Sequence, residues 1–217
     1  MMRKIIVAPS ILAANFATLG CDIKKMENIG ADWIHIDIMD GHFVPNITIG
    51  PIVVKALRKI TSLLFDVHLM ITNPCEYWLE FQKAGANLIT FHYEIKADKK
   101  KLIKNIKSTG IRVGISIKPL TPTSEIKKLI PYVDLILVMA VEPGLGGQSF
   151  MRSTISKIND LRKFINMNNY KCYISVDGGI NKKTAKMCIN AGINVLVSGS
   201  YIFNAKDPKS AIRTLLL

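Results

Sequence analysis

Short runs of apolar, β-branched residues alternate along the chain with longer stretches whose apolar positions recur every three or four residues. The runs are IIVAPSIL (5–12), DWIHIDIM (32–39), LLFDVHLM (63–70), NLITFH (87–92), IRVGISI (111–117), VDLILVMAV (133–141), CYISVD (172–177) and VLVSG (195–199), and each reads as a strand. The periodic stretches predict helices over 16–29, 51–60, 75–84, 98–108, 123–130, 153–167, 183–190 and 208–216. A glycine stands just ahead of four of the strands, in NIGADW, KAGANL, STGIRV and NAGINV, where a helix would end and turn into the next strand.

Eight strand-helix units in a chain of this length predict an α/β fold of the (β/α)₈ barrel type, with a doubly wound open sheet as the lesser alternative. No linker, low-complexity tract or shift in composition marks a boundary, so one barrel over 1–217 is expected. At 217 residues and 49% hydrophobic, the chain carries enough apolar material for a sizeable core.

Charge changes the picture little. The formal net charge of +13 invites a nucleic-acid reading. Yet the densest basic run, KADKKKLIKNIK, places Leu102, Ile103 and Ile106 on one helical face and its lysines on the other, which is the pattern of a solvated helix. No nucleic-acid partner is expected. No apolar run reaches the roughly 18 residues that span a bilayer, so no membrane partner is expected either. The start MMRKIIVAPSIL lacks a small-residue cleavage site, so a cytoplasmic chain is expected. Cys21, Cys75, Cys172 and Cys188 are scattered singly, which suits reduced thiols.

Candidate chemistry gathers at the strand ends. Active sites of such barrels sit at the carboxyl ends of the strands. Strand 1 ends at Ser10, strand 2 carries His35, Asp37 and Met39, strand 3 His68 and Met70, strand 6 Met139 and strand 7 Asp177. Within strands 2 and 3 these residues share one parity. If that parity faces the lumen, two imidazoles and two carboxylates converge at one mouth, while Ile34, Ile36, Ile38, Val67 and Leu69 pack under the helices. Such a set suits a divalent ion such as Zn²⁺, Mn²⁺ or Fe²⁺. Each residue alone also has an ordinary structural role, a hydrogen-bonded core histidine or a helix-capping aspartate. Their shared position favours the site.

Glycine-rich stretches form a second constellation. VDGGIN after strand 7 and VSGSYIF after strand 8 put backbone N–H groups at helix starts, the usual phosphate site of these barrels. EPGLGGQSF after strand 6 suits a loop that closes over a ligand.

In order along the chain, APSIL, HIDIMDGHFVPNITIGP, DVHLM, ITFHYE, VEPGLGGQSF, VDGGI and SGSYIF make the sequence resemble the ribulose-phosphate 3-epimerase family over nearly its whole length. The resemblance implies interconversion of D-ribulose 5-phosphate and D-xylulose 5-phosphate. It implies one divalent ion (Zn²⁺, Fe²⁺, Mn²⁺ or Co²⁺) on His35, Asp37, His68 and Asp177, with Asp37 and Asp177 also moving the protons. Substrate contacts are expected at Ser10, His68, Gly144, Leu145, Gly146, Gly147, Asp177, Gly178, Gly179, Gly199 and Ser200. Leu145 departs from the family's usual Phe, which bears on loop packing. A homo-oligomer is expected.

The chemistry agrees with that implication. Inverting a carbon beside a carbonyl needs a base on one face, an acid on the other and stabilisation of the enediolate between them. Met39, Met70 and Met139 would wall the intermediate with polarizable, non-basic groups. His42 and His92 are assigned supporting or structural roles. Four rivals differ at identifiable points. A six-carbon ketose phosphate epimerase shares HIDIMDGHFVPN but not the loops. A barrel decarboxylase would carry Asp-x-Lys-x-x-Asp, and a Schiff-base aldolase would need Lys118 as nucleophile. A non-catalytic sugar-phosphate binder would not need the full acid, base and ligand set.

Overall fold

The computed structural model describes residues 5–216. The ends of the expected 1–217 domain, with the whole of the MMRK start, lie outside the described residues. Eight parallel strands form the sheet: β1 (Ile6–Pro9), β2 (Trp33–Met39), β3 (Leu64–Met70), β4 (Leu88–His92), β5 (Arg112–Ile117), β6 (Leu135–Met139), β7 (Tyr173–Asp177) and β8 (Val195–Ser198). Their order is β1-β8-β7-β6-β5-β4-β3-β2. The ring closes between β1 and β2 through a Ser10–His35 bridge and an Asp32 N–H that donates to the Val7 carbonyl at 3.1 Å.

The helices are α1 (Leu19–Asn28), α2 (Pro51–Arg58), α3 (Pro74–Lys83), α4 (Lys99–Lys107), α5 (Thr154–Met167), α6 (Lys182–Ala191), α7 (Ser200–Phe203) and α8 (Pro208–Leu215). Their starts follow local chemistry. Asp98 caps α4, Asp207 caps α8, and Asn181 forms a capping box with Thr184 on α6. The glycines expected to end helices, Gly30, Gly85, Gly110 and Gly192, all stand at φ between 82° and 107°.

Two expectations need correction. The stretch 123–130 is not an α-helix but is spanned by 3₁₀ turns at Thr123–Glu125 and Ile130–Tyr132. Pro119, Pro122 and Pro131 bracket it, removing backbone donors and disfavouring α geometry just before Pro131. Ile126, Leu129 and Ile130 are nonetheless buried, so the periodicity marked the right face. The second concerns 16–29, which begins with a 3₁₀ turn at Phe16–Thr18 before α1.

Strand parity sorts the core as the alternation predicts. Ile34, Ile36, Ile38, Phe65, Val67 and Leu69 belong to the layer between sheet and helices. Ala8, Trp33, Leu88, Leu135, Leu137, Val195 and Val197 fill the lumen beneath Met139.

At the amino-terminal rim one motif repeats four times. Asp32, Asn87, Asp134 and Asn194, each just ahead of an even-numbered strand, accept through the side chain the amide N–H of Val7, Phe65, Val113 and Ile174 on the preceding strand. Each also donates its own N–H to that same residue's carbonyl, at 2.7 to 3.1 Å. These paired bonds satisfy the strand starts at the face opposite the mouth.

Candidate active site

The strands carry their polar residues to one mouth in register: His35 pairs with Asp66, Asp37 with His68 and Met39 with Met70 across β2 and β3. β6 and β7 align Met139 with Asp177. One donor atom from each of His35, Asp37, His68 and Asp177 lies within 4.8 Å of the others. Above them opens a cavity of about 980 Å³ lined by Ser10, Asp37, Met39, Met70, Met139, Gly144 to Gly147, Asp177, Gly178, Gly179, Gly199 and Ser200. His35 and His68 are fully buried behind that wall.

Hydrogen bonds orient three of the four ligand candidates. Ser10 Oγ donates to Asp37 Oδ2 at 2.6 Å. His68 Nδ1 lies 3.1 Å from Asp37 Oδ1, and its Nε2 lies 2.9 Å from Nε2 of His92. His35 Nδ1 is held 2.9 Å from Asp66 Oδ2, while Asp66 Oδ1 accepts from the Thr90 hydroxyl at 3.0 Å. His35 Nε2 stands 3.2 Å from Asp37 Oδ1 but makes no hydrogen bond. A cation among these nitrogen and oxygen donors would give that buried nitrogen a partner. The residues present therefore fit a divalent ion.

Electrostatics separate the two carboxylates. Burial pushes Asp37 up, but His35 and His68 outweigh it and hold the carboxyl well below the usual range. Burial, reinforced by the like charge of Asp37, lifts Asp177 to about 7. Burial opposes the imidazolium of His35, yet Asp37 and Asp66 keep it well above an ordinary imidazole. Burial pushes His68 down, and His92 down to about 4.

The glycine loops are sterically fixed. Gly178 and Gly179 have φ of 111° and 62°, and a Cβ on Gly179 would stand 2.5 Å from the Phe150 amide nitrogen. The β6 loop is held by Asn46, which donates to the Gly144 carbonyl at 2.9 Å, and by Gln148, which donates to the Glu142 and Leu145 carbonyls. Leu145 is 62% exposed, so it packs little in this loop conformation.

Other sequence candidates lie elsewhere. His42 is exposed beside a separate cavity, its Nδ1 2.9 Å from the Asp40 carbonyl. Lys118 lines a third cavity, its Nζ 4.4 Å from the centre of the Phe43 ring. Sequence reading missed Asp66 and Glu94. Asp66 shares the parity of His68 in DVHLM, a signal that pointed it into the lumen.

The model of the ribulose-phosphate 3 epimerase family matches residues 6–203. The ribulose-phosphate 3-epimerase of Bacillus subtilis is 48% identical over 207 residues, which cover 95% of each chain. The chloroplastic ribulose-5-phosphate-3-epimerase of Arabidopsis thaliana is 49% identical over 211 residues, covering 96% of this chain and 75% of the plant protein. Among solved structures, a 3-hexulose-6-phosphate synthase superposes with a TM-score of 0.65 at 20% identity, over 98% of this chain and 97% of that one, a likeness of fold alone. With a match across most of the barrel and close to half the residues shared with enzymes of one name, the chain belongs to the ribulose-phosphate 3-epimerase family.

Proposed function

We propose that this chain interconverts D-ribulose 5-phosphate and D-xylulose 5-phosphate by inverting C3, with Asp37 and Asp177 as the proton-transfer pair. The observation that carries the assignment is the convergence of the two carboxylates at one mouth from separate strands, the arrangement that lets one act as base while the other acts as acid. They reach the site from β2 and β7, separated in the ring by β1 and β8.

His35, Asp37, His68 and Asp177 would hold one divalent ion, Zn²⁺, Fe²⁺, Mn²⁺ or Co²⁺, which when bound stabilises the oxygens on which negative charge develops. The rest falls to the chain. Ser10 fixes the Asp37 carboxylate through its 2.6 Å hydrogen bond. Met39, Met70 and Met139, all nearly fully buried, line the reacting carbons with groups that neither donate nor accept protons. Gly178, Gly179, Gly199 and Ser200 present backbone to the phosphate, and the loop Gly144 to Gly147 borders the sugar.

Comparing turnover of D-ribulose 5-phosphate with that of D-allulose 6-phosphate tests the substrate. A higher kcat/KM for the pentose is expected, and a preference for the hexose would move the chain to the six-carbon epimerases. Self-association is part of the same reading, supported by Ile47, Ile52 and Tyr77, which are 76%, 81% and 51% exposed. Sedimentation as a monomer at micromolar concentration would remove it.

A further inference from the structure

Beyond the mouth, a line of hydrogen bonds runs from His68 away from the substrate cavity. His68 Nε2 lies 2.9 Å from His92 Nε2, and His92 Nδ1 lies 3.1 Å from Glu94 Oε2. The other Glu94 oxygen accepts from the Lys118 amide N–H at 2.8 Å and from the Thr121 hydroxyl. His92 is fully buried between the rings of His68 and Phe43, whose centres are 5.0 and 4.8 Å from its own. No feature of the proton-transfer chemistry above uses Glu94.

The direction of each bond follows from what each group can offer. One Glu94 oxygen already accepts two hydrogen bonds, from the Lys118 amide and the Thr121 hydroxyl, the setting of an ionised carboxylate. An ionised carboxylate only accepts, so His92 Nδ1 carries the proton. A neutral imidazole has one donor and one acceptor, which leaves His92 Nε2 as the acceptor. His68 Nε2 is then the donor, and His68 Nδ1, on the Asp37 side, keeps its lone pair. Asp66 performs the same service for His35 in one step, holding Nδ1 so that Nε2 is the free nitrogen.

We propose that Glu94, acting through His92, is a positioning residue that fixes the proton of His68 on Nε2 and so presents Nδ1 to the cation. The proposal rests on the metal reading above. It gives the two ligand histidines opposite coordinating nitrogens, each set by its own carboxylate. Partners of this kind typically govern metal affinity by about 10- to 100-fold. Glu94→Gln reverses the logic. Its amide N–H would donate to His92 Nδ1, moving the His92 proton to Nε2 and that of His68 to Nδ1.

The test is ¹⁵N-histidine NMR of the zinc-loaded protein, with zinc affinity measured by chelator competition. The parent is expected to show protons on His68 Nε2 and His92 Nδ1. Glu94→Gln should bind zinc about 10- to 100-fold more weakly. Thr121→Val, which removes only the hydroxyl bond behind Glu94, should bind near the parent value. A proton on His68 Nδ1 or His92 Nε2 in the zinc-loaded parent overturns the proposal without any variant. It also fails if Glu94→Gln changes neither zinc affinity nor the His68 proton, or if Thr121→Val costs as much as Glu94→Gln. A parent that binds no divalent ion overturns the metal reading itself, and the proposal with it.

Discussion

Asp66 stands opposite His35 across the β2–β3 register and holds its Nδ1 at 2.9 Å, leaving Nε2 buried, unbonded and directed at Asp37. That relationship favours reading the mouth as a cation site, and the reading makes a first prediction. Prolonged chelation should abolish activity, and Zn²⁺, Mn²⁺, Fe²⁺ or Co²⁺ should restore it. Asp66→Ala should weaken metal binding by about 10- to 100-fold, measured by chelator competition. Full turnover in a demonstrably metal-free sample would refute the ion's role.

Two separate carboxylates make a prediction about the hydrogen at C3. A proton taken by one is not the proton delivered by the other, so turnover in D₂O should place deuterium at C3 of new product and little in substrate recovered early. A single shuttling base would return the original hydrogen instead. Asp37→Asn and Asp177→Asn, checked for metal content, should each lose at least ~10²-fold in epimerisation. Near-parent rates in both metal-loaded variants would sink the pair.

Proton linkage gives a third prediction, for the metal-free protein. A group that binds its proton more tightly folded than unfolded makes stability fall as pH rises. His35, well above the ordinary 6.5, contributes stability that is complete below 6.5 and lost as pH climbs through its folded value. Asp177, lifted from 3.8 to about 7, acts in the same sense between those values. His68 and His92, pushed below 6.5, act oppositely but only beneath that pH. Asp37, held low, contributes stability lost only on acidification below 3.8. The chelated protein should therefore lose stability as pH rises from 6.5, and the zinc-loaded protein, its protons replaced by the cation, should lose less. Parallel Tm profiles for the two forms would count against it.

The phosphate loops call for a substitution that leaves the backbone intact. Gly179 is unsuited, because its φ of 62° and the 2.5 Å approach to Phe150 mean any side chain moves the loop. Gly199 has a φ of −101°, and an added Cβ would press the Ala13 Cβ at 3.1 Å and touch the Ser10 carbonyl oxygen and Cβ at the ordinary distances of 3.5 and 3.7 Å. Gly199→Val should raise KM strongly with kcat less affected, whereas an unchanged KM in the folded variant would place the phosphate elsewhere.

The alternation of HIDIM and DVHLM made the lumen-facing set legible, because side chains along a strand change face at every residue and barrel sites sit at strand ends. The same rule reached Ser10, the three methionines and Asp177. It did not reach Asp66 as a partner of His35, because that contact depends on the β2–β3 register, which only the folded sheet sets. Glu94 was still harder to see. It lies just past β4 and earns its place through a loop after β5. Between β5 and β6 the periodicity of Ile126, Leu129 and Ile130 identified a buried face, but prolines decided its backbone.

The fourfold rim motif has a kinetic consequence. Its side-chain bonds join residues 25, 22, 21 and 20 positions apart. Closing a loop costs entropy that grows only as the logarithm of its length, so these four cost nearly the same, and each is far cheaper than a random search for distant partners. The chain can thus order itself as four similar quarter-barrels, the first already joining β1 to β2, before the quarters meet along β2–β3, β4–β5, β6–β7 and β8–β1. If a quarter forms early, removing its staple slows refolding; if late, unfolding accelerates instead. Comparing Asp134→Ala with Asn194→Ala by stopped-flow would reveal which quarter leads.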